Sequence, residues 1–292
     1  MKQYKSNREY GKKRSGLPEF WRRFRRNRAG MIGAVAVLFY IAVSILAPVI
    51  VPYDPFQESL MERIKPPSAS HWLGTDELGR DVLSRIIYGA RISLYIQITA
   101  VILSLIVGVI LGAIAGFYGG VIDRIIMGFI DILMAFPSIF LAIIIIAVIG
   151  PGLTNVIFAA AVYSVPQFAR ITRASFLYVK EMEFVEAARA AGEKDFTLIS
   201  LYLLPNTFAP VIVQTTLRSA TILLTVAGLS YLGLGVQPPT PEWGAMLSMG
   251  RSYILMAPHV ATFPGLAIMF AVLGFNLLGD GLRDTLDPRL KE

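Results

Sequence analysis

The polar stretch 172–206 separates two apolar segments and holds the residues whose types and spacing are most informative. Along the chain these are Glu186, Ala187, Ala188, Gly192, Leu204 and Pro205. Alanines beside a glutamate give a helix a small, smooth surface, which suits contact with another protein better than capture of a small molecule. The spacing therefore predicts a site that binds a partner protein.

A short amphipathic helix is expected around these alanines. Its predicted contact face consists of Phe184, Ala187, Ala188 and Ala191, with Glu186 and Arg189 on the flanks. Gly192 adopts positive φ easily and can end such a helix, while Pro205 suits the first turn of the next one. We expect a short helix that lies across one end of a membrane bundle and is exposed on one face.

A second group of polar residues lies inside an apolar segment. Four of them share one helical face, at a spacing of four, three and four residues: Gln214, Arg218, Thr221 and Thr225. Arg218 lies roughly 20 Å along a helix from Pro205, and an ionisable group at that depth faces other helices or a water-filled cavity. Asp131 is the obvious partner for it. These residues either line a transport pathway or form a structural pair, in which the threonines bond to their own backbone.

The elements that must position these residues are membrane helices. Apolar residues make up 55% of the 292-residue chain and charged residues only 16%, against about 25% charged in ordinary globular domains. Six apolar segments reach the length of about 20 residues that a bilayer core requires. They lie near 29–51, 93–117, 125–149, 153–171, 207–232 and 259–279. The predicted fold is an all-α polytopic membrane protein with six transmembrane helices.

Charge sets the expected orientation in the lipid bilayer. Eleven of the 27 Lys and Arg residues lie in 1–28, and an excess of cations marks the cytoplasmic side of a membrane protein. Aromatic residues alternate with arginines near the end of this tail, a pattern typical of an amphipathic segment on an anionic surface. With six spans, both termini and the stretch 172–206 are predicted to be cytoplasmic. The segments 52–92 and 233–258 are predicted to lie outside.

Small residues in the second span predict close helix packing. Every fourth position along one face is small: Ser104, Gly108, Gly112, Gly116 and Gly120. Such a groove lets the backbone of another helix approach closely. We expect it to pack within the bundle or against a partner subunit.

Several functions are disfavoured by what the sequence lacks. The chain has no cysteine, and its two histidines, His71 and His259, are far apart, so neither a thiol nor a histidine metal site is expected. It has no Gly-x-x-x-x-Gly-Lys-Ser/Thr loop to hold nucleotide phosphates. The basic tail beside a membrane span indicates an inner-leaflet anchor rather than a nucleic-acid arm. We expect no catalytic residue, no metal or cofactor bound by this chain, and no nucleic-acid partner.

With these residues placed, the chain resembles the C-type permease subunits of ABC importers in the dipeptide, oligopeptide and nickel uptake family. The cytoplasmic signature of that family is Glu-Ala-Ala, three residues, Gly, nine residues, Ile, one residue and Leu-Pro. Here it runs in register from Glu186 to Pro205, with Tyr202 at the isoleucine position. Many relatives carry a glutamate where this chain has Val226, a departure that alters the charge of a possible pathway face.

Other blocks of sequence narrow the resemblance, which covers about residues 20–290. They are Pro52-Tyr53-Asp54-Pro55, His71–Asp76, Gly79–Arg85, Ala135-Phe136-Pro137, Leu232–Gly235, Pro241–Gly244, Gly279–Arg283 and Leu286–Arg289. The outer block at 52–85 resembles peptide permeases and would be unusual in a sugar or phosphate permease.

The resemblance implies the type I ABC importer permease fold, with a cytoplasmic coupling helix that docks on an ATPase through 182–195. The implied partners are two ATP-binding subunits that hold ATP and Mg, a second homologous permease subunit in a heterodimer, and an extracytoplasmic solute-binding protein. The chain would form half of the translocation pathway for di- or oligopeptides in a bacterial or archaeal cytoplasmic membrane. It would not be an enzyme itself.

The implied organisation divides the chain into five parts. They are a basic cytoplasmic segment at 1–28, a first transmembrane helix at 29–51, an extracytoplasmic segment at 52–92, a permease core at 93–280 that contains the coupling loop 172–206, and a cytoplasmic tail at 281–292.

Alternative functions remain open at the level of sequence. A permease of the same family for nickel or another metal chelate is the nearest. An ion-coupled secondary carrier would need a relay of carboxylates in the membrane, where Asp131 is nearly alone. A membrane-embedded enzyme would need clustered catalytic side chains, and a scaffold or channel would leave the Glu-Ala-Ala segment unexplained.

Overall fold

The computed structural model describes residues 17–286, and in that range the chain is helical, with one isolated β-bridge and no strand. The helices are α1 (Leu17–Phe24), α2 (Arg28–Ile50), α3 (Val82–Tyr118), α4 (Gly120–Ala135), α5 (Ser138–Ile149), α6 (Leu153–Lys180), α7 (Glu183–Ala190), α8 (Asp195–Thr197), α9 (Leu204–Tyr231), α10 (Trp243–Gly250) and α11 (His259–Leu286). A π-helical turn (Leu198–Leu203) joins α8 to α9, and 3₁₀ turns occupy Leu60–Glu62 and Arg251–Tyr253. Most of the predicted basic tail at 1–28 and the end of the tail at 281–292 lie outside the described residues.

Four helical stretches are long and apolar enough to cross a membrane: α2, α3, the continuous stretch 195–231 and α11. The pair α4–α5 makes a fifth if it is one broken span. The all-helical membrane architecture is confirmed, but the predicted count of six spans is not matched. The predicted fourth span lies in α6, which is long enough but not sufficiently apolar. Half of the α6 residues are buried in the bundle, so its composition reflects contacts with protein more than with lipid.

The stripe of small residues on α3 packs against α6, as expected. A Cβ atom added to Gly112 would lie 2.3 Å from the carbonyl oxygen of Ala169, and one added to Gly116 would lie 2.7 Å from the Cβ of Phe176. Gly108 is equally crowded. Residue numbers rise together on the two helices, so α3 and α6 run parallel, side by side.

Two glycines end α3, and α4 follows with no loop in the gap 118–124 between the second and third predicted spans. Gly119 and Gly120 have φ of +67° and +58°, values that an L side chain rarely adopts and glycine adopts readily. Tyr118 is therefore the last residue of α3, and α4 begins at once. Gly120 does not belong to the α3 stripe, and a Cβ atom there would meet nothing within 4 Å.

The predicted third span at 125–149 is not one straight helix. α4 and α5 meet at an angle of 91°, with Phe136 and Pro137 between them. The proline lacks an N–H for a helical hydrogen bond and its ring pushes the preceding residue out of the α region. Phe136 is accordingly extended, with φ −89° and ψ 134°.

The first and last long helices pack antiparallel through glycines. A Cβ atom on Gly30 would lie 2.9 Å from the Cα of Gly281, and one on Gly33 would lie 2.3 Å from the backbone nitrogen of Leu278. Asn27 caps α2 by accepting a hydrogen bond from the Gly30 N–H, and its side-chain amide donates to Asp284 at 2.9 Å. The start of α2 and the end of α11 therefore lie at the same end of the bundle.

Two apolar clusters place α9 in the middle of the bundle. One joins α9 to α3, α5 and α6 through buried residues that include Ile222, Val226 and Leu229. The other joins it to α2, α3, α10 and α11 around Trp243, whose ring lies 5.2 Å from that of Tyr40. Other helices therefore cover α9 on several sides, and the side that they leave uncovered is the one that another molecule can reach.

The two ends of the bundle differ in content. The α7 end contains α7, the starts of α2 and α9, and the last turns of α6 and α11; Ile171, Pro210 and Arg283 line one cleft near it. The opposite end contains residues 51–81 and α10, and we call it the outer end because the sequence predicts 52–92 and 233–258 to lie outside. There His259 Nε2, at the start of α11, lies 3.3 Å from the carbonyl oxygen of Thr75.

Candidate functional site

The short helix predicted around the alanines is α7. It begins after Met182, whose backbone is extended (φ −81°, ψ 142°). Glu183 and Glu186 lie in its first turn and Arg189 in its last, an arrangement that complements the helix dipole at both ends. The local sequence therefore specifies where this helix starts and in which direction it runs.

Gly192 ends α7 in a left-handed conformation, with φ +87°. The Glu193 N–H donates to the carbonyl of Ala188 and the Gly192 N–H donates to that of Arg189, which is the hydrogen-bond pair of a Schellman motif. A Cβ atom at Gly192 would meet nothing within 4 Å. The need for glycine at this position is therefore a matter of backbone conformation and not of space.

The inner face of α7 is fixed to the bundle. Val185 and Ala188 are buried and belong to one cluster with residues of α3, α6 and the π-turn: Ala113, Phe117, Phe176, Val179, Leu198 and Leu203. Ala188 is therefore not on the outer contact face that the sequence predicted. Neighbouring residues on a helix point about 100° apart, so Ala187 is exposed while Ala188 lies against its own chain.

The π-turn and the start of α9 complete the support of α7. The ring of Tyr202 stacks on that of Phe184 with centroids 6.5 Å apart, and Leu204 packs against the same cluster as Ala188. Pro205 is exposed in the first turn of α9, where a missing N–H costs no helical hydrogen bond. The tyrosine at the family's isoleucine position therefore keeps an apolar contact.

The outer face of α7 and the turn after it are exposed. We call this face the α7 surface, and its residues are Phe184, Glu186, Ala187, Ala191, Phe196 and Leu201. Phe196 is 80% exposed and Leu201 is 69% exposed. Neither residue was predicted as part of the contact, although an isolated phenylalanine directly after the charged pair Lys194-Asp195 is a signal for an exposed apolar side chain. The α7 surface therefore exposes large apolar side chains, while the opposite face of α7 packs against the bundle.

The predicted pair of Asp131 with Arg218 is wrong. Asp131 accepts a hydrogen bond from Arg170 of α6, with Oδ1 and Nη2 2.5 Å apart. A second ion pair joins the same two helices, because Arg173 donates through Nε and Nη2 to the two oxygens of Asp123. These pairs hold α4 beside α6, so the Asp131 carboxylate is directed to α6 and not to α9.

Arg218 makes no ion pair within residues 17–286, and its Nε atom is buried there without a hydrogen-bond partner. Gln214, one turn earlier, lines a cleft of about 490 Å³ together with Leu217 and residues of α6 and α11. The Thr221 hydroxyl donates to its own backbone, at the Leu217 carbonyl. The four predicted residues share one side of α9, as expected from their spacing, but they do not form a common network of contacts.

Val226 lies about 12 Å along α9 from Arg218. It is buried in the same cluster as Ile222 and Leu229. The position of the family's glutamate is therefore an apolar core position in this chain.

The outer end carries a dense network of buried charge. Asp76 accepts from Arg80 Nε at 2.7 Å and from the backbone N–H groups of Leu78 and Arg80, and its Oδ2 lies 3.3 Å from Arg85 Nε. Both arginines are almost fully buried, and Arg85 also donates to the Pro55 carbonyl at 2.9 Å. These contacts fix the outer segment to the start of α3.

His71 extends this network between two carboxylates. Its Nδ1 lies 2.9 Å from Asp81 Oδ1, and its Nε2 lies 3.3 Å from Glu62 Oε2. Hydrogen bonds from Lys65 and His71 hold the pKa of Glu62 below its ordinary value, whereas burial raises the pKa of Glu77. Within residues 17–286 no group of three His, Asp or Glu side chains is arranged to hold a metal ion.

Glu242 is a buried carboxylate at the start of α10. It caps this helix by accepting from the N–H groups of Gly244 and Ala245 at 3.0 and 2.9 Å, and Ser93 of α3 lies 3.5 Å away. Burial raises the pKa of Glu242. Glu242 lies in the block Pro241–Gly244 that carries the family resemblance, but the sequence predicts no role for it.

Comparison with known proteins relates this geometry to a family. The family described as binding-protein-dependent transport system inner membrane component matches residues 108–292, and the N-terminal TM domain of oligopeptide transport permease C matches residues 17–67. The glutathione transport system permease protein GsiD of Escherichia coli O6:K15:H31 is 50% identical over 274 residues, 94% of this chain and 90% of that protein. The protein of the same name from Shigella flexneri serotype 5b is 51% identical over the same length.

Solved structures show the same fold. A chain of the MetNI methionine ABC transporter in an inward-facing conformation has a TM-score of 0.57 at 18% identity, covering 70% of this chain and 98% of its own. These families consist of transport permeases, which are not catalytic subunits. The chain belongs to the binding-protein-dependent inner membrane transport components, among the permeases that carry the N-terminal domain of oligopeptide transport permease C.

Proposed function

We propose that this chain is one of two permease subunits of an ATP-driven importer of short peptides, and that the α7 surface is the contact for a partner ATPase. The observation that carries this proposal is the exposure of Phe196 and Leu201 on a helical platform whose inner face is buried. The stretch 195–231 is about 55 Å long, against about 30 Å for a bilayer core, so its first residues, next to Lys194 and Asp195, extend beyond the lipid. Exposed apolar side chains that cluster there mark a contact with protein. Glu186 and Ala187 supply the polar flank and the small residue of the same contact.

The attachment of α7 makes it suitable as a lever. Its cluster joins it to α3, α6 and the π-turn that leads into α9, so a displacement of α7 is transmitted to three long helices. The Schellman motif at Gly192 keeps the angle between α7 and the following turn constant. Movement of an ATPase against the α7 surface would thus shift the bundle between two packed arrangements.

The α7 end is assigned to the cytoplasm in this proposal. Cations gather there, among them Arg124, Lys180, Arg189 and Arg283, and such an excess marks the inner side of a membrane. The antiparallel packing of α2 and α11 puts the start of α2 and the end of α11 on that side, in keeping with cytoplasmic termini. The outer end, with 52–92 and 233–258, is then free to receive a solute-binding protein, and the permease core 93–280 pairs with a second homologous permease.

The cargo is proposed from the relatives. Proteins about 50% identical over almost the whole chain are named glutathione transport system permeases, and glutathione is a short peptide. Gln214, Arg218, Thr221, Thr225 and Asp131 are the residues proposed to line the pathway. In support of this role, Arg218 has no ion-pair partner in the described chain, and Gln214 lines a cleft.

The test uses the complete complex, purified with its second permease, its two ATPase subunits and its binding protein. Gly192→Val places a β-branched residue at positive φ, which costs about 1–2 kcal/mol, so we expect several-fold less ATPase to co-purify. Gly192→Asn is the matched control, because asparagine tolerates this conformation and the space is equally open. ATP-dependent uptake of labelled glutathione into proteoliposomes should fall with the valine variant alone.

Two results would contradict the proposal. Equal recovery of the ATPases with the valine and asparagine variants would exclude α7 as the coupling contact. Uptake that continues in the absence of ATP would indicate a carrier or a channel. Uptake of nickel in preference to glutathione by the same complex would reassign the cargo while leaving the coupling role intact.

A further inference from the structure

The short helix α1 and the turn after it carry positive charge that the described chain does not neutralise. Of the five arginines in 22–28, only Arg23 makes an ion pair within residues 17–286, and its partner is Glu19. The other four are exposed: Arg22, Arg25, Arg26 and Arg28. We call them the arginine cluster. Six more lysines and arginines precede it in 1–16, so this part of the chain attracts a partner of negative charge.

A large aromatic side chain is exposed beside the arginine cluster. Trp21 is 48% exposed, and the guanidinium carbon of Arg25 lies over its ring, 5.3 Å from the centroid. The other contact of the indole is with Phe24, where the ring centroids are 6.1 Å apart. Tryptophan is enriched at the boundary between membrane and water, because its ring is apolar and its N–H is polar. Trp21 and Arg25 together therefore suit a surface that has apolar and anionic parts.

The first span determines the level at which α1 lies. Three residues separate the end of α1 at Phe24 from the start of α2 at Arg28. α2 is long and apolar enough to cross a membrane, and it has no charged residue after Arg28. The edge of the apolar layer is thus close to Arg28, and α1 lies at the level of the lipid headgroups. The phosphates of acidic phospholipids are the anions that an amphipathic basic helix meets there.

α1 is also fixed to the bundle, at the point where α2 and α11 cross. Phe24 is 3% exposed, and its ring lies 3.1 and 3.4 Å from the positions that Cβ atoms on Gly30 and Gly281 would take. The two glycines therefore leave the space that the ring fills. Asn27, which follows α1, donates to Asp284 near the end of α11, and α11 packs against α9. A displacement of α1 is consequently transmitted to the end of α11.

We propose that α1 and the arginine cluster bind anionic phospholipids of the inner leaflet, and that this contact regulates transport through the end of α11. The guanidinium groups bind lipid phosphates, Trp21 lies among the headgroups, and Phe24 is the link to the bundle. Binding of lipid by α1 does not depend on the proposed function, whereas its effect on uptake rests on it.

The first test measures contact between α1 and lipid. The complete complex is placed in nanodiscs of phosphatidylcholine and phosphatidylglycerol, with bromine on the acyl chains of one lipid at a time. Bromine quenches tryptophan fluorescence at short range, and the quenching that disappears in Trp21→Phe reports on Trp21 alone. Brominated phosphatidylglycerol should quench Trp21 at least twofold more than brominated phosphatidylcholine at equal mole fraction. Equal quenching by the two lipids, or none by either, would overturn the proposal.

The second test removes the charge of the arginine cluster. The fourfold variant with Arg22→Gln, Arg25→Gln, Arg26→Gln and Arg28→Gln should lose the preference for phosphatidylglycerol. The four corresponding Arg→Lys changes are the matched control and should keep it, because a lysine near an anionic membrane surface contributes as much binding as an arginine. Loss of the ATPase subunits from the glutamine variant would overturn the proposal, since the cluster would then be a contact for protein.

The third test measures regulation. Uptake of labelled glutathione and hydrolysis of ATP are compared in proteoliposomes of phosphatidylcholine with and without phosphatidylglycerol at about one third of the lipid. The anionic lipid should raise both rates of the wild type at least threefold, and should not raise those of the glutamine variant. Phe24→Ala should also lose this response, with Trp21 still quenched, whereas Phe24→Leu retains an apolar contact and should respond.

Two outcomes would contradict the regulatory role. Equal rates of the wild type in both lipids would reduce α1 to an anchor. A full response of Phe24→Ala would exclude transmission through the contact with Gly30 and Gly281. A wild-type complex that hydrolyses ATP but imports no glutathione in either lipid would instead refute the proposed function, and the quenching of Trp21 would still decide whether α1 binds anionic lipid.

Discussion

The outer end and the α7 end of this bundle differ in whether they bury charge. At the outer end, Arg80 and Arg85 are almost fully buried; both pair with Asp76, and Arg85 also donates to the Pro55 carbonyl. At the α7 end, the charged side chains of α7 are exposed, as are Phe196 and Leu201. Both ends expose large apolar side chains, such as Met61 at the outer end, but of the two it is the outer end that holds a network of almost fully buried charges.

This difference separates a rigid support from a contact surface. A buried ion pair contributes little net stability, but removal of one partner leaves an unpaired charge in a medium of low dielectric. An exposed aromatic side chain contributes almost nothing to the fold and can contribute much to a complex. Substitutions at the two ends should therefore affect different measurements, stability at one and association at the other.

The largest effect on stability is expected from Asp76→Ala. This change leaves the buried Arg85 without its ion-pair partner and Arg80 with Glu77 and the more distant Glu58, so it should destabilise the outer segment by about 3–5 kcal/mol. Thermal unfolding in detergent and protease cleavage within 51–81 would measure the loss. Glu58→Gln is the control, because Glu58 is exposed and 3.8 Å from Arg80, a contact worth less than about 1 kcal/mol. A melting temperature equal to that of the wild type would show that the network does not hold the outer end.

A smaller effect, on association alone, is expected from Phe196→Ser. Loss of a central aromatic contact should weaken binding of the ATPase by about 2 kcal/mol, roughly thirtyfold, with no change in thermal stability. Met61→Ser is the counterpart at the outer end, where the side chain is 91% exposed, and it should leave ATPase binding intact. A change in stability with unaltered binding would reverse the distinction between the two ends.

The smallest effect concerns pH and the buried carboxylate of Glu242. Burial raises its pKa in the folded protein above the ordinary value of 4.5. At pH values between 4.5 and the raised pKa, the unfolded chain has released a proton that the folded chain keeps. The free energy of unfolding therefore falls as the pH rises through this window. Glu242→Gln should remove that slope, at most about 1.4 kcal/mol per pH unit for one proton. Melting curves from pH 4 upward would measure it.

Glu62 provides a control of opposite sign. Its pKa is lowered by Lys65 and His71, so its contribution to stability is present above the ordinary value and is lost as the pH falls. Glu62→Gln should therefore act only at the acid end of the same curves. Identical profiles for the two variants would mean that neither carboxylate is responsible.

The predictions from sequence succeeded where the cause is local. Positive φ at Gly192, the stripe at Gly108, Gly112 and Gly116, and an apolar Tyr202 depend on backbone conformation or side-chain size, which adjacent residues specify. They failed where the result depends on how helices lie against each other. The bend at Pro137 is a local feature, yet its 91° angle alters the course of the whole third span, and the assumption of a straight helix misplaced Asp131.

Composition and periodicity by themselves determined that this chain is a bundle of membrane helices, because only structures that satisfy their own backbone hydrogen bonds cross a lipid core. The spacing from Glu186 to Pro205 also determined that a short helix ends at Gly192. Only the tertiary structure decided that Ala188 faces inward, that Arg170 pairs with Asp131, and that Arg218 has no ion-pair partner within residues 17–286. Each of these depends on the rotation and angle of one helix relative to another, and a one-dimensional period specifies neither.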